Sequence, residues 1–151
     1  KPMLDYDVSE FDSLHEVHVR GTFLACRAVG RHMLSRGQGT IINIASILGL
    51  VGASHVAPYA AAKGAIVQLT KVLALELAPS IRVNAIAPGY IDTPLTRQHS
   101  ADRRKFITDR VPLGRFGTAS ELIGPALFLA SRASNFATGS VLTVDGGWIA
   151  Q

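Results

Sequence analysis

Two segments, TIINIAS at 40–46 and IRVNAIAP at 81–88, are short, β-branched and apolar almost throughout. A strand with one wet face alternates polar and apolar residues, so strands this uniformly apolar are expected to be covered on both faces, as in a parallel sheet. Between them lie a glycine-containing loop, ILGLVGASHV, and a helical pattern from about Pro58 to Leu77. Parallel neighbours need a crossover of that length, and such crossovers are right-handed. SVLTVDGG supplies a third strand. Helical segments are expected at roughly 101–110 and 119–131, with an irregular region at 89–101. Upstream, residues 9–35 read as one helix with Ser9 as N-cap and apolar Phe11, Leu14, Val17, Phe23, Leu24 and Met33. It should end near Gly37, with a break near Gly21. Strand, helix, strand, helix, strand predicts an α/β fold in one domain, without repeats or a low-complexity linker.

Composition excludes several classes. With 48% hydrophobic and 17% charged residues, the chain can bury one core, and no apolar run nears the roughly 18 residues of a membrane span. The polar start KPMLDYDVSEFDSLHE has no signal-like apolar region, and the lone Cys26, inside TFLACRAV, reads as a small core residue in a reducing, cytoplasmic setting. A net charge of +4 raises the question of nucleic acid, but the basic residues are scattered. The densest cluster, Arg103, Arg104 and Lys105, lacks interleaved aromatics and reads as a solvated helix face or as a neighbour of an anionic substrate. Nucleic acid and membrane are therefore set aside as partners.

The helix at 58–77 is apolar nearly all round, whereas a surface helix of a monomer shows a polar face. It is expected to pack on the sheet with one side and on another subunit with the other, Val67 being one of the outward positions. Burial by its own chain is the alternative.

Within that helix, PYAAAKG places Tyr59 and Lys63 four residues apart, as neighbours on one face. A free phenol titrates near pH 10, and an adjacent cation favours the phenolate, which makes such a tyrosine able to exchange a proton with an alcohol or carbonyl. The spacing alone also fits ordinary surface pairing, so the context matters. Ser46 closes the strand TIINIAS at its carboxyl end, where open parallel sheets place ligands, and a serine there can hydrogen-bond a substrate oxygen. PGYIDTP, 88–94, follows the next strand; Pro88 and Gly89 force a turn with backbone groups open to a ligand, and Thr93 adds a hydroxyl.

The sequence resembles the short-chain dehydrogenase/reductase superfamily along essentially its whole length, in VRGTF, IINIAS, YAAAK, LTKVLALEL, IRVNAIAPGYIDT, PLGRFG, FLAS and TGSVLTVDGG. The resemblance implies a Rossmann-like doubly wound parallel sheet and NAD- or NADP-dependent hydride transfer between a secondary alcohol and a ketone. It also implies that Ser46 steadies the substrate oxygen, that Tyr59 is the general acid/base, and that Lys63 tunes Tyr59 and holds the nicotinamide ribose. Pro88, Gly89, Ile91 and Thr93 fall where the family meets the nicotinamide end, and Asn84 looks like a scaffold residue beneath the site. A homotetramer or homodimer, with the 58–77 helix at an interface, is implied as well.

Three departures qualify the match. Where the family carries an asparagine that holds a relay water, VHVRG has His18; if the imidazole takes over that role, its ionisation should appear in the pH–rate profile near pH 6–7. The turn EL-APS-IRVN looks one residue short and lacks the common glycine. Neither G-x-G-x-x-G nor T-G-x-x-x-G-x-G occurs, so residues 1–151 read as the C-terminal catalytic and substrate-binding part of such a domain, its N-terminal dinucleotide-binding half missing. About 90–100 further residues are expected upstream, on the prior that a complete domain of this type runs to roughly 250. By itself the chain should bind NAD(P) weakly, and TIINIAS should be left as a sheet edge. NAD versus NADP is not legible.

The ending VDGGWIAQ and GPALFLAS resemble sugar-acid members such as gluconate and deoxygluconate dehydrogenases, and the polar 94–112 loop, with Arg97, His99, Arg103 and Arg104, suits a hydroxylated or anionic substrate. A 3-oxoacyl-carrier-protein reductase and a non-catalytic oligomerisation module are the competing readings.

Overall fold

In the computed structural model, which describes residues 1–150, three strands, β1 (Gly39–Ile44), β2 (Ile81–Pro88) and β3 (Val141–Val144), pair in the order β1-β2-β3. Both pairings are parallel, with Gly39 opposite Ile81 and Ala85 opposite Val141. Alternate residues of a strand face opposite sides. Ile41, Ile81 and Val83 therefore share a core with Cys26 of α2 (Gly21–Ser35) and Ala74 of α3 (Ala57–Glu76). Nearer the carboxyl ends of the strands, Ala45, Ala85 and Ala87 meet Ile66 and Val67 of α3. The opposite face is covered by α5 (Ile123–Ala130) and the segment that follows it: Arg82 donates to Leu129 O at 3.0 Å, and Asn84 donates to Ala137 O at 2.8 Å. Helices on both faces of a parallel sheet are the Rossmann-like, doubly wound arrangement. Cys26 is buried, as expected of a small core residue.

The first helix differs from its expected form. α1 (Val8–His15) is capped two residues earlier than expected, by Asp7 rather than Ser9, because Glu10 three residues on accepts the Asp7 N–H at 3.0 Å and completes a reciprocal cap. The expected break near Gly21 is a π-helical turn at Glu16–Arg20, leading directly into α2. Its wider turn shifts the phase of the side chains, and such turns favour functional positions. The segment expected as one helix over 119–131 divides into a 3₁₀ turn, Ala119–Leu122, and α5. Pro125 lacks the N–H that would tie the two into one α-helical ladder. α4 (Ala101–Arg110) is capped by Ser100, whose hydroxyl accepts the Arg103 N–H at 3.2 Å.

α3 is buried along Ala62, Lys63, Ile66, Val67, Thr70 and Ala74, and open along Val72 and Leu75, the latter 82% exposed. Burial by its own chain is thus partial. Between α1, the π turn and α3 runs a groove of about 700 Å³, lined by Val19, Phe23, Ala65 and Leu69. Within the described sheet β1 is an edge strand. Gly39 donates its N–H to Ser80 O, just before β2, and Ala45 donates to Ile86 O of β2, so the alternation leaves Thr40, Ile42 and Ile44 on the free edge. Ile44 is 55% exposed, short of the two-sided cover expected for TIINIAS. Among the described residues no helix is long and apolar enough to cross a membrane.

Candidate active site

The site lies past the carboxyl ends of β1 and β2. Beyond β1 the chain turns through Ser46 into a 3₁₀ turn, Ile47–Gly49, with the Ser46 hydroxyl accepting the Leu48 N–H at 3.2 Å. Gly49 makes the approach to α3: a Cβ there would stand 2.6 Å from the Lys63 carbonyl carbon and oxygen and 2.9 Å from the Gly64 nitrogen. Backbone contact at this point docks the Ser46 turn against the helical turn that carries Lys63. Pro58 in the first turn of α3, where a missing N–H costs nothing, fixes the start of that helix and hence the position of Tyr59.

Ser46 and Tyr59 line one cleft of about 160 Å³, together with Leu48, Tyr90, Thr96 and His99. Lys63 lies behind Tyr59, its Nζ 5.7 Å from the tyrosine ring centroid and donating to Ile44 O at 3.0 Å. Lys63 is buried, at 7% exposure, and burial pushes its pKa below the ordinary lysine value. Its ammonium has three N–H donors and a single protein acceptor among the described residues, a donor set suited to neighbouring hydroxyls such as those of a ribose. His18, turned inward by the π turn, meets the Tyr59 ring edge-on at 5.7 Å between centroids. Burial, then the Lys63 and His15 charges, hold its pKa below 6.5. Ser46, Tyr59, Lys63 and His18 thus converge.

The segment after β2 is more self-contained than its sequence suggests. The Gly89 N–H donates to Val144 O at 2.9 Å, which leaves it unavailable to a ligand. Gly89 is required by packing, since a Cβ would stand 2.7 Å from the Asp145 Cα. Ile91 bridges to Gly117, and the Thr93 hydroxyl pairs with that of Thr96 at 3.2 Å. Pro88 is the last residue of β2, opposite Val144. Asn84 ties β2 to the 137–140 turn by donating to Ala137 O and accepting the Ser140 N–H at 3.0 Å.

The arginines of the 94–112 loop point elsewhere. Arg97 is held on Asp92 by two bonds of 3.0 and 3.2 Å, and Arg104 covers the Phe116 ring at 4.2 Å while reaching Asp92 at 3.5 Å. Arg103 lies over Phe106 at 5.5 Å. Sequence reasoning missed Tyr90, whose ring meets Trp148 and Phe116 and so forms a wall of the cleft; its place directly after Pro88-Gly89 was the available signal. It also missed the buried polar chain beneath the site, in which Asn43 donates to Thr70 at 3.0 Å and accepts from the Cys26 thiol at 3.3 Å. An asparagine inside an apolar strand was its signal.

The chain matches the family model described as Enoyl-(Acyl carrier protein) reductase over residues 1–149. It is 45% identical over 150 residues to the 2-dehydro-3-deoxy-D-gluconate 5-dehydrogenase of Bacillus subtilis (strain 168), covering 97% of this chain and 59% of that protein. The gluconate 5-dehydrogenase of Gluconobacter oxydans (strain 621H) is 40% identical over 149 residues, covering 97% of this chain and 58% of that one. The crystal structure of a gluconate 5-dehydrogenase from Burkholderia cenocepacia J2315, in complex with NADP and tartrate, superposes with a TM-score of 0.97 at 40% identity. That likeness covers 100% of this chain and 60% of the other. The chain therefore spans about three-fifths of the length of the curated relatives it matches.

Proposed function

The chain belongs to the short-chain dehydrogenase/reductase family, and we propose that it forms the catalytic and substrate-binding part of an NAD(P)-dependent oxidoreductase that interconverts a secondary alcohol and a ketone on a sugar acid. Ser46 and Tyr59 on one cleft, with buried Lys63 behind the Tyr59 ring, carry this reading. Relatives named for gluconate and 2-dehydro-3-deoxy-D-gluconate favour the sugar acid over a carrier-protein substrate.

Lys63 and Tyr59 would hold the ribose next to the nicotinamide, and Pro88, Gly89, Ile91 and Thr93, at and just past the end of β2, would border the nicotinamide without lending it the Gly89 N–H. None of the three strands runs through a glycine-rich turn into an α-helix N-terminus, the element that holds a pyrophosphate; the described chain fits only the nicotinamide end. The free edge of β1 borders a groove of about 400 Å³ lined by His18, Cys26, Asn43 and Lys63. We assign this edge to a further strand of an upstream dinucleotide-binding half. When bound, the nicotinamide supplies or takes the hydride.

The proton is handled by residues of this chain. The Tyr59 phenol gives a proton to the ketone oxygen, or its phenolate takes one from the alcohol, while the Ser46 hydroxyl donates a hydrogen bond to that oxygen. Lys63 stabilises the phenolate form, and His18, against the Tyr59 ring, relays the balancing proton: from solvent to the phenolate after ketone reduction, and from the phenol to solvent after alcohol oxidation. NADPH-dependent and NADH-dependent reduction of 5-keto-D-gluconate by the complete protein tests the reading; no turnover with either cofactor refutes it.

His18 adds a pH signature. Its environment holds the folded pKa below 6.5, so the limb of the rate profile belongs on the acid side of the pH 6–7 expected for a free imidazole. The unfolded chain takes up this proton first. Stability from His18 is therefore present above about pH 6.5 and is lost as pH falls through the folded pKa. His18→Asn should remove both the limb and that slope while activity persists. Superimposable profiles of the two proteins would reduce His18 to packing.

We further assign the open side of α3 and the adjoining groove to contact with a second copy of the chain. Val67, which sequence reasoning placed outward, is 7% exposed and belongs to the core, so a charge there tests folding rather than assembly. Leu75→Glu is the informative change. Sedimentation should show a dimer or tetramer for the wild type and a smaller species for Leu75→Glu; a wild-type monomer at micromolar concentration would sink the assignment.

A further inference from the structure

We propose that His99 determines substrate specificity by binding the carboxylate of the sugar acid, a role that rests on the oxidoreductase reading above. The cleft that holds Ser46 and Tyr59 has an apolar wall, Ile47 and Leu48, and an opposite wall that includes Thr96 and His99. An anionic substrate needs a donor on one of them. The cations nearby in sequence are committed elsewhere: Arg97 and Arg104 to Asp92, Arg104 also to Phe116, and Arg115 to Glu121 at 2.7 Å. Thr96 is committed too, donating to Ile91 O at 2.6 Å and receiving the Thr93 N–H at 2.9 Å.

His99 is the only residue lining the cleft whose side chain carries nitrogen, and its imidazole makes no hydrogen bond among the described residues. The ring offers an N–H donor in either protonation state. The loop that carries it is held in place: Thr96 O accepts the backbone N–H of His99 at 3.3 Å and the Arg104 guanidinium at 3.2 Å. The arginines that look in sequence like substrate contacts therefore brace this loop, and the histidine among them faces the substrate. Reaction at a carbon held by Ser46 and Tyr59 leaves the far end of a hexonate chain to find its partner on the wall that holds His99.

The test compares 5-keto-D-gluconate with L-sorbose, which has a hydroxymethyl group where the acid has its carboxylate. It is made in the complete enzyme with saturating NADPH, for the wild type, His99→Leu and His99→Gln, alongside tartrate binding by calorimetry and melting temperatures. His99→Leu should raise KM for the acid at least about tenfold, leave kcat within about threefold, weaken tartrate binding similarly, and leave L-sorbose unaffected. That loss is about 1.4 kcal/mol. His99→Gln, which keeps an N–H donor, should recover most of it. An equal effect on both ketoses, or none on either, overturns the proposal, as does an unchanged tartrate affinity. If the wild type reduces neither compound but tartrate still binds more weakly to His99→Leu, the sugar-acid reading fails and the anion contact stands; if tartrate affinity is also equal, both fail.

Discussion

Tyr59→Phe in the complete enzyme should lower kcat by about 10²–10⁴-fold, the usual worth of a positioned general acid/base, and leave the melting temperature where it was. Loss is confined to chemistry because the Tyr59 hydroxyl has no hydrogen-bond partner among the described residues, so its removal strands no buried group. The ring remains in its edge-on contact with His18 and beside Lys63. A variant that retains more than a few per cent of wild-type kcat would show that another group moves the proton. Circular dichroism melts of the two proteins complete the comparison, since a destabilised Phe variant would point to a structural role.

Gly49→Ala should destabilise the protein and cripple turnover together, although Gly49 bears no chemical group. Its backbone lies against that of Lys63 and Gly64, with no room for a methyl group at 2.6 Å from a peptide carbonyl. Unlike a flexible side chain, this neighbour cannot rotate away, because it is part of the α3 backbone. Overpacking of this kind costs roughly 1–3 kcal/mol. In a chain of this size the melting temperature falls about 2–4 °C for each kcal/mol. The Ser46 turn must then move relative to α3, which separates Ser46 from Tyr59, so kcat should fall further than stability alone accounts for. Unchanged melting and unchanged kcat would mean that the turn and the helix shift apart without cost.

These two residues mark different kinds of legibility. Tyr59 and Lys63 could be placed together from spacing alone, because four residues on a helix bring side chains to one face whatever the rest of the chain does. Ser46 was locatable for a similar reason: a short apolar strand in a parallel sheet ends at the edge where ligands sit. The parallel pairing of the strands and the positions of α3, α4 and β2 followed from apolar patterning, which acts over a few neighbours, while the doubly wound arrangement was implied by the family resemblance.

Gly49 could not be read this way. Its role is a contact with Lys63 and Gly64, and nothing local to ILGLVG distinguishes it from a loop glycine. Val67 is the same lesson in reverse: on a helix with apolar residues on every side, periodicity has no phase, and only packing against Ala45 and Ala85 determined that Val67 points inward while Leu75 does not. The arginines around residue 100 were visible as charge, but their directions were set by Asp92 and Phe116, which hold them by ion pairing and stacking. What the sequence by itself determined is therefore the alternation of strands and helices, the parallel pairing and the closeness of Tyr59 and Lys63, since these depend on local backbone preference and short spacings. Which side chains face the cleft was decided by tertiary structure, because a loop side chain's direction depends on partners distant along the chain that no local pattern encodes.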